Sequence, residues 1–250
     1  SFVDTGSGLI TLPGSTFTKR GTGSATFGVA VALTNTLSIE GGELAINAPF
    51  GTVSNATFTA PLAVESNAAA LFGYSGTQTL SGGLLGSGTV SATSGRLRIN
   101  SAVPNFNGQV AAAGGVLEVS TPNAFLNSPA RMRIDAGSTC AFTALDASGY
   151  SVPNTNPIEI AGTLKVLQRD STARGMRLFD GAQVLLKGSG MDSGHALDLF
   201  NMPIIALVSG TAAIKPLDTN DAAQASIIVR TENSPKTFDV QASNAVLTVD

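Results

Sequence analysis

One short pattern recurs along this chain and limits what it can fold into. A small residue precedes a glycine, one position is free, and apolar residues then fall at alternate places. It occurs as Gly41-Gly42-Glu43-Leu44-Ala45-Ile46-Asn47 and as Ser94-Gly95-Arg96-Leu97-Arg98-Ile99-Asn100. Gly114-Gly115-Val116-Leu117-Glu118-Val119-Ser120 and Ala161-Gly162-Thr163-Leu164-Lys165-Val166-Leu167 repeat it. Weaker copies begin at Ala136, Asp180 and Ser209. From Gly95 onward the aligned glycines lie 20, 22, 25, 19 and 29 residues apart. A period of roughly 20 to 30 residues marks a solenoid. Between Gly42 and Gly95 the gap is 53 residues, room for two turns, with imperfect material such as Gly51-Thr52-Val53 and Gly88-Thr89-Val90.

The alternation supplies the physical reason for stacking. Successive side chains of a strand point to opposite faces, so Leu and Val or Ile share one face while Glu43, Arg96, Arg98, Glu118 and Lys165 take the other. One such strand cannot bury its apolar face alone. Stacked turns build a continuous core, each pairing its backbone with the next. The repeat residues expected to carry this are Gly42, Leu44, Ile46, Gly95, Leu97, Ile99, Gly115, Leu117, Val119, Gly162, Leu164 and Val166. Glycine before each strand fits a corner that needs φ > 0 or close backbone approach. An antiparallel sandwich also offers short alternating strands, but it gives no reason for one motif to return. The expected fold is therefore all-β, a right-handed parallel β-helix forming one domain. Within it, residues 1–36 are an N-terminal cap or docking segment, 37–215 the coils and 216–250 a closing segment. Strand edges at the ends of a solenoid need a cap or a partner, which points to assembly. Only Asn220–Val229 and Ser193–Val208 allow a helical turn, and Pro203 breaks the second.

Composition removes other classes. Of 250 residues 43% are hydrophobic and 12% charged, so the chain is too apolar for disorder. No apolar run approaches the ~18 residues of a membrane span. Cys140 and His195 are the only Cys and His, too few for a disulfide framework or a structural zinc site. A net charge of −3 argues against a nucleic-acid partner. Ser1 to Ile10 has no basic stretch followed by an apolar run, so it does not read as a secretory signal. Residues 1–130 hold only nine charges (Asp4, Lys19, Arg20, Glu40, Glu43, Glu65, Arg96, Arg98, Glu118) and the rest hold 22. The N-terminal half is thus coated with Ser, Thr, Asn and Gly. Neutral polar groups cost less to desolvate than charges, so this surface suits contact with a protein subunit or a glycan.

The stretch from Gly86 to Asn127 adds a resemblance. Gly86-Ser87-Gly88-Thr89-Val90 leads to Gly95-Arg96-Leu97-Arg98-Ile99-Asn100. Then come Asn105-Phe106-Asn107-Gly108-Gln109-Val110, Gly114-Gly115-Val116-Leu117-Glu118-Val119 and Asn123-Ala124-Phe125-Leu126. This order resembles the passenger-associated strand repeat of autotransporters, where an Asn-aromatic-x-Gly step separates two Gly-x-Leu strands. The resemblance implies a right-handed parallel β-helix exposed outside the cell. Similar coils occur in phage tail and head-surface proteins.

Chemical motifs are sparse. His195, in Asp192-Ser193-Gly194-His195, lacks the Gly-x-Ser-x-Gly elbow of a serine hydrolase, and Lys187-Gly188-Ser189-Gly190 misses it too. Three acid pairs, Glu40 with Glu43, Asp192 with Asp198 and Asp218 with Asp221, read as solvated loops. A glycosidase pair or a calcium site is the sharper reading. Arg169, Asp170, Arg174 and Arg177 form the densest charge group, an ion-pair network, a docking patch or an acidic-glycan site. Tyr74 and Tyr150 lie beside Gly-Ser and offer rings to a sugar or anchors to a loop. Gly21-Thr22-Gly23-Ser24 and Gly6-Ser7-Gly8 lack the lysine of a phosphate loop. The expectation is no catalytic residue, no cofactor and no metal. Partners are copies of this chain or other coat and surface proteins, with cell-surface glycan beside them, but no nucleic acid and no membrane span. The leading reading is a structural component on a virion surface. An extracellular or cell-surface adhesin passenger and a polysaccharide-degrading enzyme are the alternatives.

Overall fold

The alternating segments form strands, and every strand pairs parallel with the strand one turn away. The computed structural model describes residues 3–4, 8–12, 16–126, 128–143, 156–167, 170–172, 175–187, 197–199, 204–217, 227–229, 237–241 and 243–249. In chain order the strands begin β1 (Val3–Asp4), β2 (Ile10–Leu12), β3 (Phe17–Lys19), β4 (Ser24–Phe27), β5 (Val31–Leu33), β6 (Leu37–Ile39), β7 (Gly42–Ile46), β8 (Thr57–Phe58), β9 (Leu62–Val64) and β10 (Ala68–Phe72). They continue β11 (Thr77–Leu80), β12 (Leu84–Gly86), β13 (Thr89–Ala92), β14 (Arg96–Ile99), β15 (Gln109–Ala112), β16 (Val116–Val119), β17 (Arg131–Ile134), β18 (Thr139–Phe142), β19 (Ile158–Ile160) and β20 (Thr163–Val166). The last are β21 (Asp170–Thr172), β22 (Gly175–Leu178), β23 (Ala182–Leu186), β24 (Leu197–Leu199), β25 (Ile204–Leu207), β26 (Thr211–Pro216), β27 (Ile227–Val229), β28 (Thr237–Val240) and β29 (Val246–Val249).

These strands make a parallel β-solenoid. Face one is an eleven-stranded sheet, β1-β4-β7-β10-β13-β15-β17-β19-β22-β25-β28. Face two is a nine-stranded sheet from β8 through β11, β14, β16, β18, β20, β23 and β26 to β29. The third side carries β3-β6-β9-β12 early and β21-β24-β27 late. The pair β2-β5 takes the place of face two in the first coils, each strand following a face-one strand and preceding a third-side strand. No helix occurs among the described residues. The ladder crosses both expected segment boundaries: β1 pairs with β4 and β4 with β7, while β28 and β29 continue faces one and two. The helical turns allowed within 193–208 and 220–229 are corrected where these ranges are described. Leu197–Leu199, Ile204–Leu207 and Ile227–Val229 are strands, because each has a parallel neighbour to complete.

The register builds the core as columns. On face one Phe27, Ile46, Phe72, Ala92, Ala112, Ile134, Ile160, Leu178 and Leu207 stack rung upon rung. On face two Leu97, Leu117, Cys140, Leu164, Val184 and Ile214 do the same, all essentially unexposed. Burying each such side chain stabilises the fold by about 1.5–3 kcal/mol. Column one narrows to Ala92 and Ala112 in the coils where the third side gives turns instead of strands. Those turns send Phe106 and Phe125, both wholly buried, into the same core. Phe106 belongs to the Asn-aromatic-x-Gly step and bridges to Gly86 of β12. At the N-terminal end four rings pack in sequence, Phe17 to Phe27 at 5.4 Å, Phe27 to Phe50 at 6.0 Å and Phe50 to Phe58 at 5.0 Å.

The repeat is distributed differently from its one-dimensional alignment. The copies at Gly95, Gly115, Gly137, Gly162, Gly181 and Gly210 stack on face two as β14, β16, β18, β20, β23 and β26. The copy at Gly42 is β7, on face one. The motif encodes a tight corner followed by an alternating strand, and the corners leading into face one and into face two can both use it. Gly42 has φ 66° and Gly95 φ 49°, and a Cβ at either would collide with backbone carbonyl oxygens of the coil before.

Candidate functional site: the outer faces of the coil

What faces outward differs between the two long sheets. On face one the outer positions of the early rungs are Ser24, Thr26, Glu43, Ala45, Ala69, Leu71 and Thr89, of which only Glu43 is charged. Further along, Ser91 and Ala111 are buried, and the column then becomes Arg133, Glu159 and Arg177. Arg177 Nη1 donates to Glu159 Oε1 at 3.0 Å, and its Cζ lies 5.8 Å from the Phe179 ring centre. Arg133 pairs with Asp135, the residue just past the end of its own strand, at 2.7 Å.

Face two carries one nearly buried carboxylate. Glu118 has a side-chain exposure of 6% although it points outward. Register sets Arg98 beside it on the adjacent rung, and Arg98 Nε donates at 3.0 Å while Arg96 Nη1 donates at 2.8 Å. Thr143 Oγ1 adds a third donor at 3.2 Å. A carboxylate that accepts from two guanidinium groups and a hydroxyl ties three rungs together.

The nominated residues fall as follows. Leu44, Ile46, Leu97, Ile99, Leu117, Val119, Leu164 and Val166 all point into the core at zero exposure. Gly42, Gly95, Gly115 and Gly162 sit at corners. Tyr74 is half-buried, its ring lying against Gly76 at the turn into β11. Arg177 joins Glu159, while Arg169, Arg174 and Tyr150 lie outside the described residues. So do His195, Asp192, Asp218 and Asp221; Asp198 lies on β24. Glu40 pairs with Arg20 at 2.7 Å. Among the described residues no three His, Cys, Asp or Glu side chains gather as a metal site, and no helix is long and apolar enough to cross a membrane.

Two polar residues of structural weight escaped the sequence reading. Lys19 lies at the end of β3, only 8% exposed, with Nζ donating to the carbonyls of Gly21 at 2.7 Å, Gly23 at 2.5 Å and Gly41 at 2.7 Å. All three ammonium protons are met by backbone, and the loop 20–23 is tied to the next corner. Beside it an apolar cavity of about 510 Å³ is lined by Ile10, Leu12, Phe17, Phe27 and Leu44. Gln78, 1% exposed, points inward from β11. Its Oε1 accepts from Phe50 N–H at 3.0 Å and its Nε2 donates to Phe50 C=O at 2.9 Å. Its place in the inner column, two residues before Leu80, was the available signal.

Comparison with known proteins adds no identity: no family model, no curated protein and no solved structure matches the chain.

Proposed function

We propose that the protein is a non-catalytic structural β-solenoid exposed on a particle surface, a phage virion component of the capsid-decorating or tail and fibre type that works through protein–protein assembly. The observation that carries this reading is the early outer surface of face one. Four adjacent rungs, β4, β7, β10 and β13, present small and neutral side chains around Leu71, with Glu43 the one charge. A rigid sheet with short side chains loses little side-chain entropy on contact, and neutral groups lose little hydration. The ion-paired carboxylates Glu118 and Glu159 serve rung cohesion in this reading, not acid–base chemistry.

The test has two arms. Mass spectrometry of purified phage particles carrying the gene should find the chain in stoichiometric amount. Sedimentation of the purified protein with its particle should be lost in Ala69→Lys/Leu71→Lys while circular dichroism stays unchanged. A chain absent from particles would sink the proposal. A second reading, a secreted adhesin passenger of the autotransporter type at the cell surface, draws on the Gly86–Asn127 order, whose aromatic Phe106 fills the third side of the coil. Export-cassette sequences flanking the gene, in place of capsid and tail genes, would favour it.

A further inference from the structure

The late rungs of face two carry a second surface of opposite character. Lys165 on β20, Leu185 on β23 and Lys215 on β26 are register partners in one outer column. The ladder runs one step past the strand ends, with Lys187 N–H donating to Val166 C=O and Leu217 N–H to Leu186 C=O, both at 2.8–2.9 Å. This sets Leu167, Lys187 and Leu217 in the next outer column. Three ammonium groups and three leucines therefore alternate as a checkerboard over three consecutive rungs. All six residues are half-buried, so each lysine stem lies along apolar surface and lifts its charge outward. Strand spacing puts the Lys165 and Lys215 backbones about 9–10 Å apart, with Lys187 about 8 Å from each. None of the three lysines joins an ion pair among the described residues. In a chain of net charge −3 this is local positive charge with no carboxylate paired to it among the described residues.

We infer that this face binds a linear acidic polysaccharide lying along the solenoid axis, its carboxylates on Lys165, Lys187 and Lys215 and its sugar C–H faces on Leu167, Leu185 and Leu217. Charge complementarity sets the sign of the occupant, and the flat, axial repeat sets its shape. Cations two rungs apart suit a polymer charged on alternate sugars. A duplex nucleic acid, with one charge per ~1.7 Å of axis, would leave most of its phosphates facing an acidic protein. The surface differs from the neutral patch of face one, so the inference stands or falls apart from the proposed virion role.

The test uses the full chain and hyaluronan as probe, with dextran and duplex DNA as comparisons. Binding to hyaluronan should weaken steeply as ionic strength rises. It should fall at least tenfold in Lys165→Gln/Lys187→Gln/Lys215→Gln and survive in the triple Lys→Arg variant. Arg133→Gln, on face one and paired with Asp135, should bind as the parent chain does. Circular dichroism of each variant separates loss of binding from loss of fold. Hyaluronan binding that persists in the triple Gln variant overturns the inference, as does equal or tighter binding of DNA. No measurable binding by the parent chain also overturns it.

Discussion

Face one changes character along its length while its interior does not. Between β4 and β13 its outer positions are Ser, Thr, Ala and Leu with a single glutamate. Between β17 and β22 the same columns hold Arg133, Glu159 and Arg177. Inside, both stretches present the same kind of buried column, from Phe27 and Ile46 to Ile160 and Leu178. Interior columns are bound by volume and by the demand that each rung match its neighbour. Outer positions carry no such volume constraint and answer to solvent, to partners and to ion pairs between rungs. The two stretches therefore separate what makes the coil from what the coil is for.

Breaking the interior should cost most. Leu117→Ala, which empties a site of zero exposure between Leu97 and Cys140, should destabilise by about 2–5 kcal/mol in urea titration. Gly95→Val should follow, since φ 49° is hostile to a β-branched residue and the Tyr74 and Gly76 carbonyls crowd the new Cβ. A loss of about 1–3 kcal/mol is expected, read as a lowered midpoint in the same titration. Glu118→Gln removes the charge that two arginines share, and because both are well exposed the expected loss is about 1 kcal/mol. Added salt should narrow that difference. Smallest is Ala69→Lys/Leu71→Lys, within about 0.5 kcal/mol of the parent chain by thermal melt. If that exchange unfolded the protein, the division between interior and exterior would be wrong.

The legible part of the fold was the part written as alternation. Leu97, Leu117 and Leu164, each followed two residues later by Ile or Val, declare a strand with one apolar side, and their return declares stacking. Which face a copy joins was not legible. Gly42 and Gly95 open similar strands on different sheets because the motif records a corner and a pleat, not a position around the coil. The third side was hidden for another reason. Its strands, such as Leu37–Ile39 and Leu62–Val64, are three residues long, too short for periodicity to register. Lys19 was missed because a lysine in a sparse loop reads as solvated, and only the folded chain brings the carbonyls of Gly21, Gly23 and Gly41 to one point. The lysine checkerboard was equally invisible, since Lys165 and Lys215 are 50 positions apart and meet only through register.

Gln78 has a consequence for how such a molecule changes over generations. Its amide offers Phe50 the acceptor and donor that a neighbouring strand would have supplied, and just beyond Phe50 the chain makes a small detour through Thr52 and Thr57 before face two resumes at β8. A side group that impersonates a peptide unit lets a coil absorb extra length at one corner without unseating the rungs on either side. Growth by splicing then becomes a local event, and a loop grafted between Gly51 and Thr57 should be the cheapest place to give this scaffold a new appendage.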